Sequence, residues 1–175
     1  MKKSLWIVFL VMIFSFENLQ AREIVNIYPK SRELPNNIIY HESGKKYKLT
    51  DFKGKFVLLV FWSKKCSVCI KELDDLNNYS NIVKDNGIKV ILVSPSEEWT
   101  SFGQTKRFME RFGAKDLDVY WDVNGDLASS FGIFATPHNV LISREGREIG
   151  RIRGGADWDK DEIIEYMYKI KSKHG

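Results

Sequence analysis

Both cysteines of this 175-residue chain follow an apolar run in the stretch Phe56-Val57-Leu58-Leu59-Val60-Phe61-Trp62-Ser63-Lys64-Lys65-Cys66-Ser67-Val68-Cys69-Ile70-Lys71-Glu72. The run is rich in β-branched and aromatic residues and is short enough for a strand buried on both faces. The residues that then share one helical face are Cys69, Leu73, Leu76, Ser80 and Val83. Cys66 is therefore predicted where a strand passes into a helix, and the free N–H groups and dipole there favour a thiolate.

The C-x-x-C spacing allows a disulfide across one helical turn and two-electron exchange with another dithiol. A structural disulfide is an alternative, although so short a loop restrains the unfolded chain little. Half of a zinc site is a weaker alternative, because the chain has no second cysteine pair and His41, His138 and His174 are scattered. Haem attachment would need a histidine at the position of Ile70. A redox-active pair with no metal is the favoured interpretation.

The first 21 residues have the pattern of a secretory signal peptide. Lys2 and Lys3 precede the apolar run Leu5–Phe16, and a polar segment then ends at Ala21, a small residue suited to cleavage. An uncleaved inner-membrane anchor is the alternative, although the run is short for a bilayer. We therefore expect a periplasmic protein. Cysteines there are oxidised by default, so a reductant would need an upstream membrane electron donor.

The formal net charge of +4 is spread over interleaved basic and acidic residues, which predicts no nucleic-acid surface.

Residues 22–37 are polar, contain Pro29 and Pro35, and are predicted to form a loosely packed arm before a domain over 38–175. The expected elements of that domain are a hairpin over 38–49, a helix over 66–86, a strand over 88–94 parallel to the first, an amphipathic helix over 102–112, a strand over 117–122, a short helix over 127–131, a strand over 140–143 with its antiparallel return over 148–152, and a last helix from Asp159. The class is α/β.

Four short features follow one another along the chain. They are Asp51-Phe52-Lys53-Gly54-Lys55, Phe61-Trp62-Ser63 before the cysteines, Glu72 after them, and Thr136-Pro137 before a strand. With these features the chain resembles the thioredoxin-like fold, and more narrowly the TlpA-like exported thiol-disulfide oxidoreductases, which include cytochrome c maturation reductases. Residues 154–158 also look like the end of a TlpA-type domain. The resemblance implies a central mixed β-sheet flanked by helices, with an N-terminal β-hairpin and an inserted helix after the second core strand.

By this resemblance Cys66 is the attacking nucleophile and Cys69 the resolving thiol. Pro137 is the family's cis-proline, which faces the cysteine pair and presents backbone to an extended substrate. The other substrate contacts expected here are Trp62, Lys65, Thr136 and His138. For His138 two interpretations stay open: it points outward at a strand start, or it lies near Cys66 and tunes its pKa or touches a metal.

Glu72 is the expected proton acceptor for the resolving thiol, with a surface acid paired to a lysine as the alternative. Val60 stands where cytosolic thioredoxins carry a buried aspartate, so another base is needed. The chain departs from the family at Lys65, commonly tryptophan, and at Asp74, which replaces the proline that kinks the active-site helix. The second departure predicts a straighter helix.

The resemblance implies a monomeric reductase of protein disulfides, with apocytochrome c or copper-centre subunits as clients and no cofactor beyond the Cys66–Cys69 disulfide. A disulfide oxidase or isomerase is the nearest alternative. Two others are a copper-handling assembly protein that uses Cys66, Cys69 and His138, and a redox-inactive interaction module.

Overall fold

A mixed eight-stranded sheet lies at the centre of the computed structural model, which describes residues 25–174. The predicted signal peptide lies outside these residues. The strands are β1 (Val25–Glu33), β2 (Ile39–His41), β3 (Lys46–Tyr47), β4 (Phe56–Phe61), β5 (Ile88–Pro95), β6 (Asp118–Asp122), β7 (His138–Ile142) and β8 (Arg147–Arg153). Their order is β1-β8-β7-β4-β5-β6-β2-β3. The β4–β5 and β5–β6 pairs are parallel and the others antiparallel, which confirms the predicted mixed sheet.

Helices cover both faces of the sheet. They are α1 (Ser67–Lys71), α2 (Leu73–Val83), α3 (Phe102–Arg111), α4 (Asp126–Ser130) and α5 (Asp161–His174). Residues of α1, α2, α3 and α5 pack into one hydrophobic core, and α4 packs into a second core on the opposite face. None of the described helices is long and apolar enough to cross a membrane.

Strand β4 is buried on both faces, because it lies between these two cores. Leu58 and Val60 belong to the first core, and Leu59 and Phe61 to the second. This alternation follows from the two-residue period of a strand. It explains why the run before the cysteines is continuously apolar. Truncating Leu58, which is fully buried, would cost about 2–5 kcal/mol of stability.

The predicted polar arm over 22–37 is wrong for most of its length. Val25–Glu33 forms the edge strand β1, which pairs antiparallel with β8. The register of this pairing shifts between Ile27 and Arg32, and Pro29 falls inside the shifted segment. Proline is tolerated at an edge strand or an irregularity, where no ladder hydrogen bond is required of its nitrogen. The proline therefore did not exclude a strand.

The straighter active-site helix predicted from Asp74 is also wrong. The helix breaks at Glu72, which has φ −91° and ψ 0° and separates α1 from α2. The carboxylate of this residue is bound by the distant segment 156–158, a tertiary contact that local sequence does not contain. Helix α5 begins at Asp161, two residues later than predicted.

Candidate active site

Cys66 and Cys69 form a disulfide at the start of α1, with their Cα atoms 5.3 Å apart. Cys66 is the N-cap of the helix, and its Sγ accepts a hydrogen bond from the backbone N–H of Cys69 at 3.2 Å. The Cys66 side chain is partly exposed, whereas Cys69 is completely buried. Of the two cysteines, only Cys66 is therefore accessible to a second molecule. The N-terminal end of a helix also stabilises negative charge on the side chain of its N-cap residue.

The loop between β4 and Cys66 is fixed by Glu98, which follows β5. The Glu98 carboxylate accepts hydrogen bonds from Ser63 Oγ at 2.6 Å and from the backbone N–H of Lys64 at 3.0 Å. The Lys64 ammonium lies 4.8 Å from the centre of the Trp99 ring, a cation–π distance. Lys65 is exposed. These contacts connect the loop before Cys66 to the segment that follows β5.

The Thr136–Pro137 segment faces the disulfide. Its peptide bond is cis, as the resemblance implied. The carbonyl oxygen of Thr136 lies 3.5 Å from Cys66 Sγ. Pro137 O accepts a hydrogen bond from Gly154 N at 3.1 Å, and Asn139 binds the carbonyls of Ile152 and Gly154, so strand β8 supports the loop.

Glu72 lies buried one turn after Cys69, with only 5% of its surface exposed. Its Oε2 accepts hydrogen bonds from Ala156 N at 3.2 Å and from Trp158 Nε1 at 3.0 Å. Its Oε1 has no hydrogen-bond partner among the described residues. Burial raises the pKa of Glu72 to about 7, against the lowering effect of the two hydrogen bonds. The group can therefore take up or release a proton near neutral pH.

Gly155 lies directly against this carboxylate. A Cβ at this position would be 2.9 Å from Glu72 Oε2 and 3.0 Å from Val68 Cγ1. The open depression beside these residues has a volume of about 500 Å³ and also contacts Asp75 and Lys160. The absence of a side chain at Gly155 lets the segment approach Glu72 closely.

Trp62 is far more deeply buried than a substrate contact was predicted to be. It is 1% exposed and packs in the first core against Trp99 and Phe108, with ring centres 5.7 and 6.0 Å away. The aromatic residue before the motif is a core residue here, because it continues the alternation of β4 and packs into the first core, on the face opposite Phe61.

His138 lies at the start of β7 opposite Phe61. It shares strand parity with Val140 and Ile142, which pack in the second core, whereas Cys69 packs in the first. The ring is partly buried and its Nε2 has no partner in the described part of the chain. Burial, and then Arg151, lower the pKa of His138. The interpretation that His138 points outward is wrong in part, because its Nε2 atom is buried.

Cys66, Cys69 and His138 are not arranged as a set of metal ligands in the described part of the chain. Over residues 25–174 no group of three or more His, Cys, Asp or Glu side chains is placed to hold a metal ion. The copper-handling alternative therefore has no ligand set in this arrangement.

Sequence reasoning missed Glu98, Gly155 and Trp158 as parts of the site. Glu98 had a usable signal, since the carboxyl ends of parallel strands meet at one edge of a sheet and Ser63 and Glu98 follow β4 and β5. Residues 154–158 resemble the end of a TlpA-type domain, but that resemblance did not predict the contact of Trp158 with Glu72, which depends on how the chain returns after β8.

A model of the AhpC/TSA family matches residues 30–149 of the chain. The chain belongs to the AhpC/TSA family. It is 32% identical over 139 residues to the thiol-disulfide oxidoreductase ResA of Bacillus thuringiensis subsp. konkukian, a match that covers 79% of this chain and 77% of that protein. The ResA of Bacillus subtilis is 27% identical over 139 residues, covering 79% and 74% of the two chains.

Solved structures agree with these relatives. The thioredoxin domain of a thiol-disulfide oxidoreductase from Bacteroides vulgatus superposes with a TM-score of 0.64 and 26% identity, covering 82% of this chain and 99% of that one. The exposed lipoprotein thioredoxin Etrx1 of Streptococcus pneumoniae gives a TM-score of 0.62 and 26% identity, covering 77% and 98%. The thioredoxin-like fold and the TlpA-like resemblance are thus confirmed. This AhpC/TSA family member is a thiol-disulfide oxidoreductase.

Proposed function

We propose that this oxidoreductase reduces disulfides in partner proteins through the Cys66–Cys69 pair. The observation that carries the proposal is the unequal exposure of the two sulfurs, with Cys66 partly open at the helix N-cap beside Thr136 and Cys69 fully buried. An exposed thiolate attacks a second molecule, and a buried neighbour can react only within its own chain.

In the proposed cycle, the Cys66 thiolate attacks one sulfur of a client disulfide. An S–S bond forms between Cys66 and the client while the client's own S–S bond breaks, and the other client sulfur leaves as a thiolate that is then protonated. Cys69 next attacks Cys66 Sγ, closes the internal disulfide and releases the second client sulfur. Two electrons pass from the dithiol to the client, and the balance requires no bound cofactor.

Glu72 is proposed to accept the Cys69 proton in the second step. It lies three residues from Cys69, and its pKa of about 7 matches the pH at which a general base is most efficient. The unpartnered Oε1 is the lone acceptor of this carboxylate that is not already occupied.

We propose an exported location for the protein, on the charged and apolar pattern of residues 1–21. A membrane dithiol would then return the disulfide to the reduced state. By its TlpA-like resemblance, apocytochrome c and copper-centre subunits are the client classes to try first. The protein is expected to act as a monomer.

The reduction potential of the pair tests the direction of electron flow. Equilibration with glutathione buffers, followed by thiol alkylation and mass spectrometry, should give a value close to the roughly −270 mV of thioredoxin. A value near the roughly −120 mV of DsbA would assign the protein to disulfide formation instead. Catalysed reduction of insulin, absent in Cys66→Ser, is the accompanying activity test.

A further inference from the structure

Two exposed apolar side chains belong to the two segments that meet at the disulfide. Phe134 is 90% exposed, and Val68, between the two cysteines, is 50% exposed. Phe134 lies two residues before Thr136, whose carbonyl oxygen is 3.5 Å from Cys66 Sγ. Single exposed apolar residues are common on protein surfaces. An almost fully exposed aromatic side chain two residues from the carbonyl that lies against the reactive sulfur is different, because aromatic side chains supply much of the binding energy of protein interfaces.

An apolar cleft of about 250 Å³ lies next to the Phe134 ring. Its lining includes Pro95, Ala128, Ile133, Phe134 and Thr136. Asp122 also borders the cleft, but both of its carboxylate oxygens accept hydrogen bonds, from the backbone N–H groups of Leu127 and Ala128 at 2.9 Å. An apolar side chain that enters the cleft would therefore not deprive this carboxylate of its hydrogen bonds.

The position of Cys66 dictates how a client reaches this surface. A client cysteine that bonds to Cys66 Sγ lies beside the Thr136 carbonyl, so the chain next to it crosses either the 134–136 segment or Val68. An extended chain advances about 3.3 Å per residue, so a client residue roughly two positions from the cysteine comes within reach of Phe134.

We propose that Phe134 and its cleft bind a large apolar side chain located about two residues from the reactive cysteine of an extended client segment. The inference rests on the proposed exchange with protein disulfides and adds a preference among them. Phe134 acts as an anchor for the client and takes no part in electron transfer.

The test uses two disulfide-linked peptides that differ only in the residue two positions from the cysteine, phenylalanine in one and serine in the other. Their rates of reduction are compared for the wild-type protein, Phe134→Ser, and Ile82→Ser as a control. Ile82 is 48% exposed on α2 and provides a matched loss of surface apolar area away from the disulfide. Circular dichroism checks that each variant is folded.

The wild-type protein should reduce the phenylalanine peptide about five- to twentyfold faster than the serine peptide. The ratio should fall to near one in Phe134→Ser and stay at the wild-type value in Ile82→Ser. A wild-type ratio near one, or a ratio unchanged by Phe134→Ser, would overturn the inference while leaving disulfide reduction intact. Dimerisation lost in Phe134→Ser, without a peptide preference, would assign the patch to self-association and overturn it equally. No reaction of the wild-type protein with either peptide or with oxidised glutathione would remove the proposed function itself.

Discussion

The indole Nε1 of Trp158 donates a 3.0 Å hydrogen bond to Glu72 Oε2, although the two residues lie 86 positions apart in the sequence. Both side chains are buried. The contact joins the segment after β8 to the break between α1 and α2, beside the cysteine pair. It also explains how a carboxyl group is kept in an apolar environment with a pKa near neutrality.

Stability should depend on pH through Glu72. Its pKa in the folded protein is about 7, above the ordinary 4.5, so folding favours the protonated form. The resulting stabilisation is fully present below 4.5 and is lost as pH rises through 7. Between about pH 5 and pH 8 the oxidised wild-type protein should lose roughly 2 kcal/mol of unfolding free energy relative to Glu72→Gln. Urea titrations at both pH values measure this difference, and parallel pH profiles for the two proteins would show that Glu72 titrates normally.

Trp158→Phe should raise the pKa of Glu72 further. The substitution keeps an aromatic ring in the core but removes one of the two donors that stabilise the carboxylate. The midpoint of the Glu72-dependent stability change should move upward by about one pH unit. Trp99→Phe is the matched control, because the Trp99 indole donates to Ser94 Oγ instead. Equal midpoints in the two variants would contradict the assigned role of the Trp158 hydrogen bond.

Gly155→Ala should displace Glu72 or Val68, since the added Cβ would lie 2.9 Å from Glu72 Oε2 and 3.0 Å from Val68 Cγ1. We expect release of the client from the mixed disulfide to slow by about tenfold, because the proton acceptor is misplaced. Rapid-mixing measurement of the release step tests this. Gly103→Ala in α3 is the control, since its Cβ would meet its nearest atom at 3.5 Å. A release rate as fast as that of the control would refute the close-approach argument.

Glu98→Gln should loosen the loop before Cys66. The Glu98 carboxylate accepts two hydrogen bonds there, from Ser63 Oγ and Lys64 N, and the amide that replaces it is a weaker acceptor. A loss of about 1–2 kcal/mol in unfolding free energy is expected by urea denaturation. Glu97→Gln, at an exposed neighbour whose carboxylate accepts a hydrogen bond from Ser96 Oγ at 3.4 Å, should change stability little. Similar losses in both variants would show that the loop does not depend on Glu98.

Much of the fold follows from local pattern. The buried runs that became β4 and β5 and the amphipathic stripe of α3 were predictable, because burial on both faces or on one helical face leaves a periodic trace in sequence. Strand β1 was not predictable, since its residues are all exposed or half-exposed and include a proline. It is defined by pairing with β8, a contact between distant parts of the chain.

The site divides in the same way. Cys66, Cys69 and Glu72 were identifiable because a strand, a C-x-x-C motif and a helix follow one another directly. The break at Glu72, the burial of Trp62 and the support from Trp158 all depend on packing between segments far apart in sequence. Local propensity contains no information on such contacts.

Trapping of a mixed disulfide tests the central claim most directly. Reduced Cys69→Ser and Cys66→Ser variants are mixed with a disulfide-bonded client such as insulin, quenched with an alkylating agent and examined by non-reducing electrophoresis and mass spectrometry. Because Cys66 is accessible and Cys69 is fully buried, Cys69→Ser should accumulate a covalent client adduct through Cys66. Dithiothreitol should cleave this adduct by reduction. Cys66→Ser should form no adduct. Adducts from both variants in equal amounts, or from neither, would contradict the account.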